Sequence, residues 1–304
     1  MHADQVVEMA TSLLMPTATA TAIPKPIPTV IPTPTEYQLA SHDGQRTLWV
    51  MFAIMLATSG VFAVSSWNVP VSKRIFYVTT TLTAIIASLS YFALASGQAI
   101  SYNCITVRDA HEHVPDTFHE VCRQVYWARY VDWALTTPLL LVNLCLLAGV
   151  DGAHTLMAVA ANVIMILSGL FSAFGTTGTA QKWGWYTIAC VSYIFVIWHV
   201  ALHGSRMSDA KGVRVSKLFT WMAVFTFALW TVYPVIWAVA DGARKMNVDK
   251  EIMIYAILDA LAKPVFGVWF IISHRAMADT NIDLEGYWSH GLAADGRIRV
   301  GDEE

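Results

Sequence analysis

The feature that most limits what this chain can fold into is a succession of long apolar runs. A membrane-crossing helix needs about 20 mostly apolar residues. Runs of that kind cover Thr47–Trp67, Ile75–Ala99, Gln124–Ala148, Ala153–Phe174, Trp183–His203, Val215–Ala240 and Glu251–Ser273. In hydrocarbon every backbone N–H and C=O must be satisfied within its own segment, so each run is predicted to be a helix. Mostly short connections make consecutive helices antiparallel neighbours. The expected fold class is all-α, a seven-transmembrane-helix bundle in the lipid bilayer with its termini on opposite sides.

Composition supports the same class. Of 304 residues, 56% are hydrophobic and 13% charged, whereas soluble domains carry about 25% charged residues. The net charge of -3 and the lack of a basic stripe give no reason to expect a nucleic acid partner. No basic segment followed by an apolar core marks a cleavable signal peptide, so insertion is expected to begin with the first span.

The regions outside the spans are of three kinds. Residues 1–45 are an expected disordered tail, dense in Pro, Thr and Ala from Pro16 to Pro34. Residues 46–276 make the membrane domain, and 277–304 a C-terminal tail ending in acidic residues. A polar segment, Ser101–Arg123, separates the second and third spans, and Asp209–Arg214 forms a charged connection between the fifth and sixth. Cys104 and Cys122 flank the polar segment and are either a disulfide or two free thiols. Cys145 and Cys190 read as packing residues. Basic residues divide almost evenly between the two sides. The compact group Arg206, Lys211, Arg214 and Lys217 tips the orientation toward an extracellular N-terminus, in a plasma membrane.

Ionisable side chains inside spans are costly and usually functional. Arg129 and Asp132 lie three apart in the third span, and Asp259 and Lys263 four apart in the seventh. Each pair shares a helix face, so two acids and two bases are expected to meet in one cluster. A structural ion-pair network would explain the acids but not a lysine deep in an apolar helix. A desolvated amine suits condensation with an aldehyde. Trp133, Trp185, Tyr186, Trp230, Tyr233, Pro234, Trp237 and Tyr91 lie in the same spans or their neighbours. Such rings can grip a flat apolar ligand, although aromatics are also ordinary packing in membrane cores.

Three motifs then point to a family. Arg129-Tyr-Val-Asp-Trp-Ala-Leu-Thr-Thr-Pro-Leu-Leu-Leu, Trp230-Thr-Val-Tyr-Pro-Val-Ile-Trp and Leu258-Asp-Ala-Leu-Ala-Lys-Pro-Val-Phe-Gly occur in order. They resemble helices three, six and seven of the microbial rhodopsins of the bacteriorhodopsin type. The tail, His113-Val-Pro-Asp and Lys182-Trp-Gly-Trp-Tyr resemble the fungal subgroup. The resemblance covers about residues 45–276. It implies a light-responsive photoreceptor or ion-transport protein, not an enzyme, with all-trans-retinal joined to Lys263 as a Schiff base. It implies Asp132 as counterion and proton acceptor, Asp259 as second counterion, and Arg129 organising water beside Asp132. Thr136 should hydrogen-bond Asp132, and Tyr91 and Tyr233 should hydrogen-bond Asp259. Trp133, Trp230, Trp237, Tyr186, Met165 and Gly169 should shape the pocket. Glu251 matches one acid of a proton-release pair, and Asp241 approximately the other. Protons and internal water are the implied working partners, and a homo-oligomer is compatible with the family.

One position departs from the family's pumps. They carry an acid on the third helix, 11 residues beyond the counterion, about 16 Å toward the cytoplasm. Here that position is Asn143, which cannot donate a proton at physiological pH. Slow reprotonation is therefore expected, favouring a sensory or regulatory role over a fast pump. The alternative is an outward proton pump with a slow photocycle. Asn162 is a second departure, expected to hydrogen-bond the third helix. His199 and His203 have a metal-compatible spacing without an evident third ligand, so helix-end packing is expected and no metal site. His111, His113 and His119 read as a solvated loop. Competing classes are an ion transporter or channel without retinal and a membrane enzyme using the Lys263 amine.

Overall fold

Seven helices long and apolar enough to cross a membrane stand among the described residues of a computed structural model, which are 33–67, 69, 71–112 and 115–275. They are α1 (His42–Ser65), α2 (Arg74–Ala95), α3 (Trp127–Ala148), α4 (Gly152–Phe174), α5 (Ala180–Ala210), α6 (Val213–Gly242) and α7 (Val248–Ser273). The expected all-α seven-span bundle is therefore the fold. The tail through residue 32, the C-terminal tail and His113 lie outside the described residues.

The helix ends differ from expectation for local reasons. Helix α1 starts at His42, inside the stretch expected to be a disordered tail, because Ser41 caps it and accepts from the Asp43 N–H at 3.2 Å. Helix α2 ends at Ala95 rather than Ala99, where the chain turns through Gly97 at a φ of 77°. Helices α5 and α6 extend toward each other until only Lys211 and Gly212 separate them, so the charged Asp209–Arg214 connection is almost wholly helical.

A small sheet lay unseen in the polar segment and the tail. Strands β1 (Glu36–Gln38), β2 (Ser101–Asp109) and β3 (Thr117–Val125) form a sheet ordered β1-β3-β2. Strand β1 runs parallel to β3 with Tyr37 opposite Cys122. The sequence signal was present in Ile105-Thr-Val, a β-branched run. Cys104 and Cys122 are joined as a disulfide between β2 and β3. Arg244 ties the α6–α7 loop to this sheet, donating to the backbone oxygens of Val121 at 3.1 Å and Asn103 at 2.7 Å. Those bonds hold Arg244 at a φ of 52°, a conformation uncommon outside glycine. Burial and the neighbouring Arg123 lower its pKa.

Among the described residues, 33, 108–112 and 115–118 form a unit of their own, and the rest form the other. Within the smaller unit Arg108 ion-pairs with Asp116, and the His111 N–H donates to Asp116 at 3.2 Å.

The bundle is filled by apolar side chains. Leu48, Met55, Leu94 and Ile252 pack toward the sheet, while Phe76, Leu141, Leu144, Phe219 and Phe270 pack toward the opposite end. Outward-facing residues are also apolar, such as Leu89, Ile194 and Trp221 at 64%, 63% and 68% exposure, as a hydrocarbon solvent requires. The α3–α4 turn places Gly149 at a φ of 81°, where Lys211 crosses it closely. Lys211 Nζ donates to the Leu146 and Leu147 carbonyls at 3.3 Å, capping the C-terminus of α3. Burial brings the Lys211 pKa down to about 8.

Candidate functional site

Helix α7 carries a polar stripe, Glu251, Tyr255, Asp259 and Lys263, at intervals of four residues. Helix α3 faces it with Arg129, Asp132, Trp133 and Thr136. All eight are buried. Lys263 sits in a widened turn, Leu261–Val265, that breaks the regular helix of α7. Pro264 follows it directly and has no N–H to give the preceding turn, which favours such a widening.

Lys263 Nζ makes an ion pair with Asp132 Oδ2 and stands 3.5 Å from Asp259 Oδ1. Asp259 is saturated with donors. Tyr91 donates to Oδ2 at 2.7 Å, Tyr233 to Oδ1 at 2.8 Å and Trp133 Nε1 to Oδ1 at 3.2 Å. Asp132 differs, because its Oδ1 is buried without a partner. Thr136 does bond Asp132, but it donates at 2.8 Å to the backbone carbonyl rather than the carboxylate. A helical threonine finds that carbonyl four residues back without leaving its rotamer.

The expected single cluster is instead two. Arg129 Nη1 donates to Glu251 Oε1 at 2.8 Å, and Arg123 Nη2 to Glu251 Oε2 at 2.7 Å. Arg123 Nε also lies 3.7 Å from Asp241 Oδ1. Geometry explains the split. Glu251 lies eight residues before Asp259, about 12 Å nearer the sheet, and Arg129 lies about 4.5 Å nearer the sheet than Asp132. The Arg129 guanidinium lies over the Tyr255 ring at 4.3 Å from its centroid. Arg123, read from sequence as a loop charge, is the residue that joins Glu251 to Asp241. Its place at the end of an alternating segment beside the third span was the signal available.

Replacing Glu251 with alanine should leave the buried Arg129 guanidinium without its carboxylate and Arg123 with Asp241 alone, each side chain at most 6% exposed. Breaking a buried pair this way costs about 3–5 kcal/mol. The measurement is the midpoint of thermal unfolding, and a shift within error of the parent would remove this cluster from the stabilising interactions.

Between Asp259 of α7 and helices α4 to α6 lies a cavity of about 120 Å³, lined by Trp133, Trp230, Trp237, Tyr186, Met165 and Gly169 and reaching Lys263. Tyr186 stacks on Trp237 at 5.1 Å. Gly169 leaves the ring of Tyr130 as a wall, 3.6 Å from where a Cβ would stand. The residues fit a flat, apolar, retinal-like group. Rings line the walls, an amine closes one end, and the open Asp132 oxygen awaits a positive charge or a water. Tyr130, Tyr193 and Tyr255 also line this space, although no sequence reading singled them out. The signal for Tyr255 was its place in the stripe of α7.

Asn143 is 3% exposed, and its Oδ1 accepts from the Thr79 hydroxyl at 2.6 Å. Asn162 Nδ2 donates to Thr137 of α3 at 2.6 Å, as expected.

A family model described as bacteriorhodopsin-like protein matches residues 44–277. Opsin-1 of Neurospora crassa is 65% identical over 306 residues, which cover 100% of this chain and 99% of the relative. The opsin-like protein carO of Fusarium fujikuroi is 30% identical over 79% of this chain and 76% of its own. The crystal structure of a light-driven proton pump LR (Mac) from Leptosphaeria maculans is similar with a TM-score of 0.76. It is 51% identical over 79% of this chain and 98% of that one.

Proposed function

This chain belongs to the bacteriorhodopsin-like proteins, and from that premise we propose a light-activated retinal protein whose proton leaves Lys263 Nζ for Asp132 and returns slowly. The output we assign is sensory or regulatory. The working setting is the plasma membrane with the N-terminus outside.

Lys263 would hold all-trans-retinal through Nζ, and the group would supply visible absorption and a light-driven change of shape there. The side chains do the rest. Lys263 carries the proton at rest, held between Asp132 Oδ2 and Asp259 Oδ1. Asp259 has its lone pairs taken by Tyr91, Tyr233 and Trp133, whereas Asp132 keeps Oδ1 open. Asp132 is therefore the acceptor when the nitrogen gives up its proton. Trp133, Trp230, Trp237, Tyr186 and Met165 keep water out of the path and hold the ligand's plane. Thr136 locks the α3 backbone at Asp132. Arg129 and Glu251, bridged through Arg123 to Asp241, are the groups toward which a proton leaves on the sheet side.

The observation that carries the slow return is Asn143. It is buried where a donor acid would stand, with its oxygen already taken by Thr79. The proton must then come from solvent across apolar packing that includes Leu140, Leu144 and Phe219. A second reading, an outward proton pump with a slow photocycle, draws on the likeness to the Leptosphaeria maculans pump.

Flash photolysis with simultaneous pH recording tests both. The expected result is a long-lived deprotonated state, shortened by azide as a diffusible proton carrier, and no sustained acidification of a cell suspension. Fast, azide-insensitive recovery would sink the reading of Asn143. Sustained acidification would transfer the assignment to the pump.

A further inference from the structure

Three imidazoles converge at the end of the bundle opposite the sheet, outside the cavity lining. His199 and His203 stand on α5, four residues apart, and His154 stands in the first turn of α4. The Nδ1 atoms of His154 and His199 are 2.9 Å apart. The His154 ring centroid lies 4.0 Å from that of His203, and the two α5 rings are 6.0 Å apart. One nitrogen from each ring lies within 4.8 Å of the other two. Asp151, which caps α4, sets Oδ2 3.9 Å from His154 Nε2. All three rings are partly exposed, so an ion can reach them.

The third ring is what the sequence left out. Two histidines one turn apart on a helix make an incomplete site, and His154 lies 45 residues from His199 in the chain. A widened turn, Trp198–Leu202, holds His199, ends directly before His203 and packs against α4, the helix that carries His154. Simple packing accounts for one contact, a hydrogen bond between His154 and His199. It does not explain three rings that each bring a nitrogen within 4.8 Å of the other two. A divalent cation satisfies all three lone pairs together. Imidazole suits zinc, copper and nickel. Zinc–nitrogen bonds of about 2.0–2.1 Å put ligand atoms about 3.3 Å apart in a tetrahedron. His154 and His199 bring nitrogens to 2.9 Å and all three rings place one within 4.8 Å of the others, so modest ring rotations close the site.

We infer that His154, His199 and His203 bind a divalent transition-metal ion of the zinc class, with the Asp151 carboxylate beside His154 Nε2, on the ring edge away from His199. The ion clamps the start of α4 to α5, about 9 Å along α5 from Tyr193 of the cavity wall. The other grouping of potential ligands, Cys104, Glu120 and Cys122, is not comparable, because its two sulfurs are joined to each other.

The test is equilibrium Zn²⁺ binding to the full-length, retinal-loaded protein after chelator treatment. One saturable ion per chain is expected. His154→Ala, His199→Ala and His203→Ala should each weaken it by at least about tenfold. His42→Ala, at the far end of α1, should leave it unchanged. His154→Cys restores a zinc ligand and should bind more tightly than His154→Ala. On the unsubstituted chain, Cu²⁺ should show electron paramagnetic resonance splitting from three ring nitrogens. Absence of saturable binding at millimolar Zn²⁺, full affinity in the triple alanine variant, or coupling to fewer than three nitrogens overturns the site. The nitrogen count decides even where a variant fails to hold its retinal.

Discussion

Lys263→Ala is expected to give a chain that stays colourless after all-trans-retinal is added, with no pigment retained on denaturation. The amine is the only group at the closed end of the cavity, among the described residues that line it, able to condense with an aldehyde. The change also leaves Asp132 and Asp259 buried without their cation, so the circular dichroism of the variant must be compared with the parent. A helical, colourless variant supports the attachment site. A variant that colours like the parent removes Lys263 from the chromophore. It would reopen the two rival readings, an ion pathway without retinal and an amine-based enzyme.

Asn143→Asp should shorten the lifetime of the deprotonated state by about a hundredfold. A positioned proton donor contributes about 10²–10⁴-fold to a proton-transfer step. The substituted carboxyl would stand where Thr79 already donates to the present side chain at 2.6 Å. Its shape matches asparagine, so packing against Leu140 and Leu144 is kept. Transient absorption after a flash reads the lifetime directly. No acceleration would mean that the slow step lies elsewhere, for instance in water entry past Phe219. Acceleration together with sustained light-driven acidification would show that one atom type on α3 separates a sensor-like cycle from a pump.

The parts legible from sequence were those that repeat with the pitch of a helix. Arg129, Asp132, Asp259 and Lys263 announce themselves because a charge in hydrocarbon is costly and their spacing puts each pair on one face. Tyr91 and Tyr233 bond Asp259, as the resemblance implied, and Asn162 reaches the third helix through Thr137. What escaped depends on distances between elements. Arg123 looked like one more loop charge until β3 delivered it to Glu251. His154 carried no signal by itself, since its partners stand on another helix. Strand β1 hid just beyond a Pro- and Thr-rich stretch, in a tail whose composition argued for no structure. Three ordered residues need only a ready edge to pair with, and composition averages do not detect that. The separation of Arg129 from Asp132 was also invisible, because spacing along one helix gives a shared face but not the height of the partner across the gap.

The widened turn at Lys263 has a consequence for the far end of α7. One extra residue in a turn advances the phase of everything downstream by about 100°. Phe266 and Phe270 are buried, and Gly267 faces Phe62, downstream of that offset. Gly267 then meets Phe62 and Thr80 so closely that any Cβ there would lie 2.7–2.9 Å from them. Deleting a single residue from Leu261–Val265 would remove that offset, turning Phe266 and Phe270 off their buried positions and Gly267 away from Phe62. The irregularity that seats the amine is thus also the gear tooth that meshes the last third of the span with its neighbours.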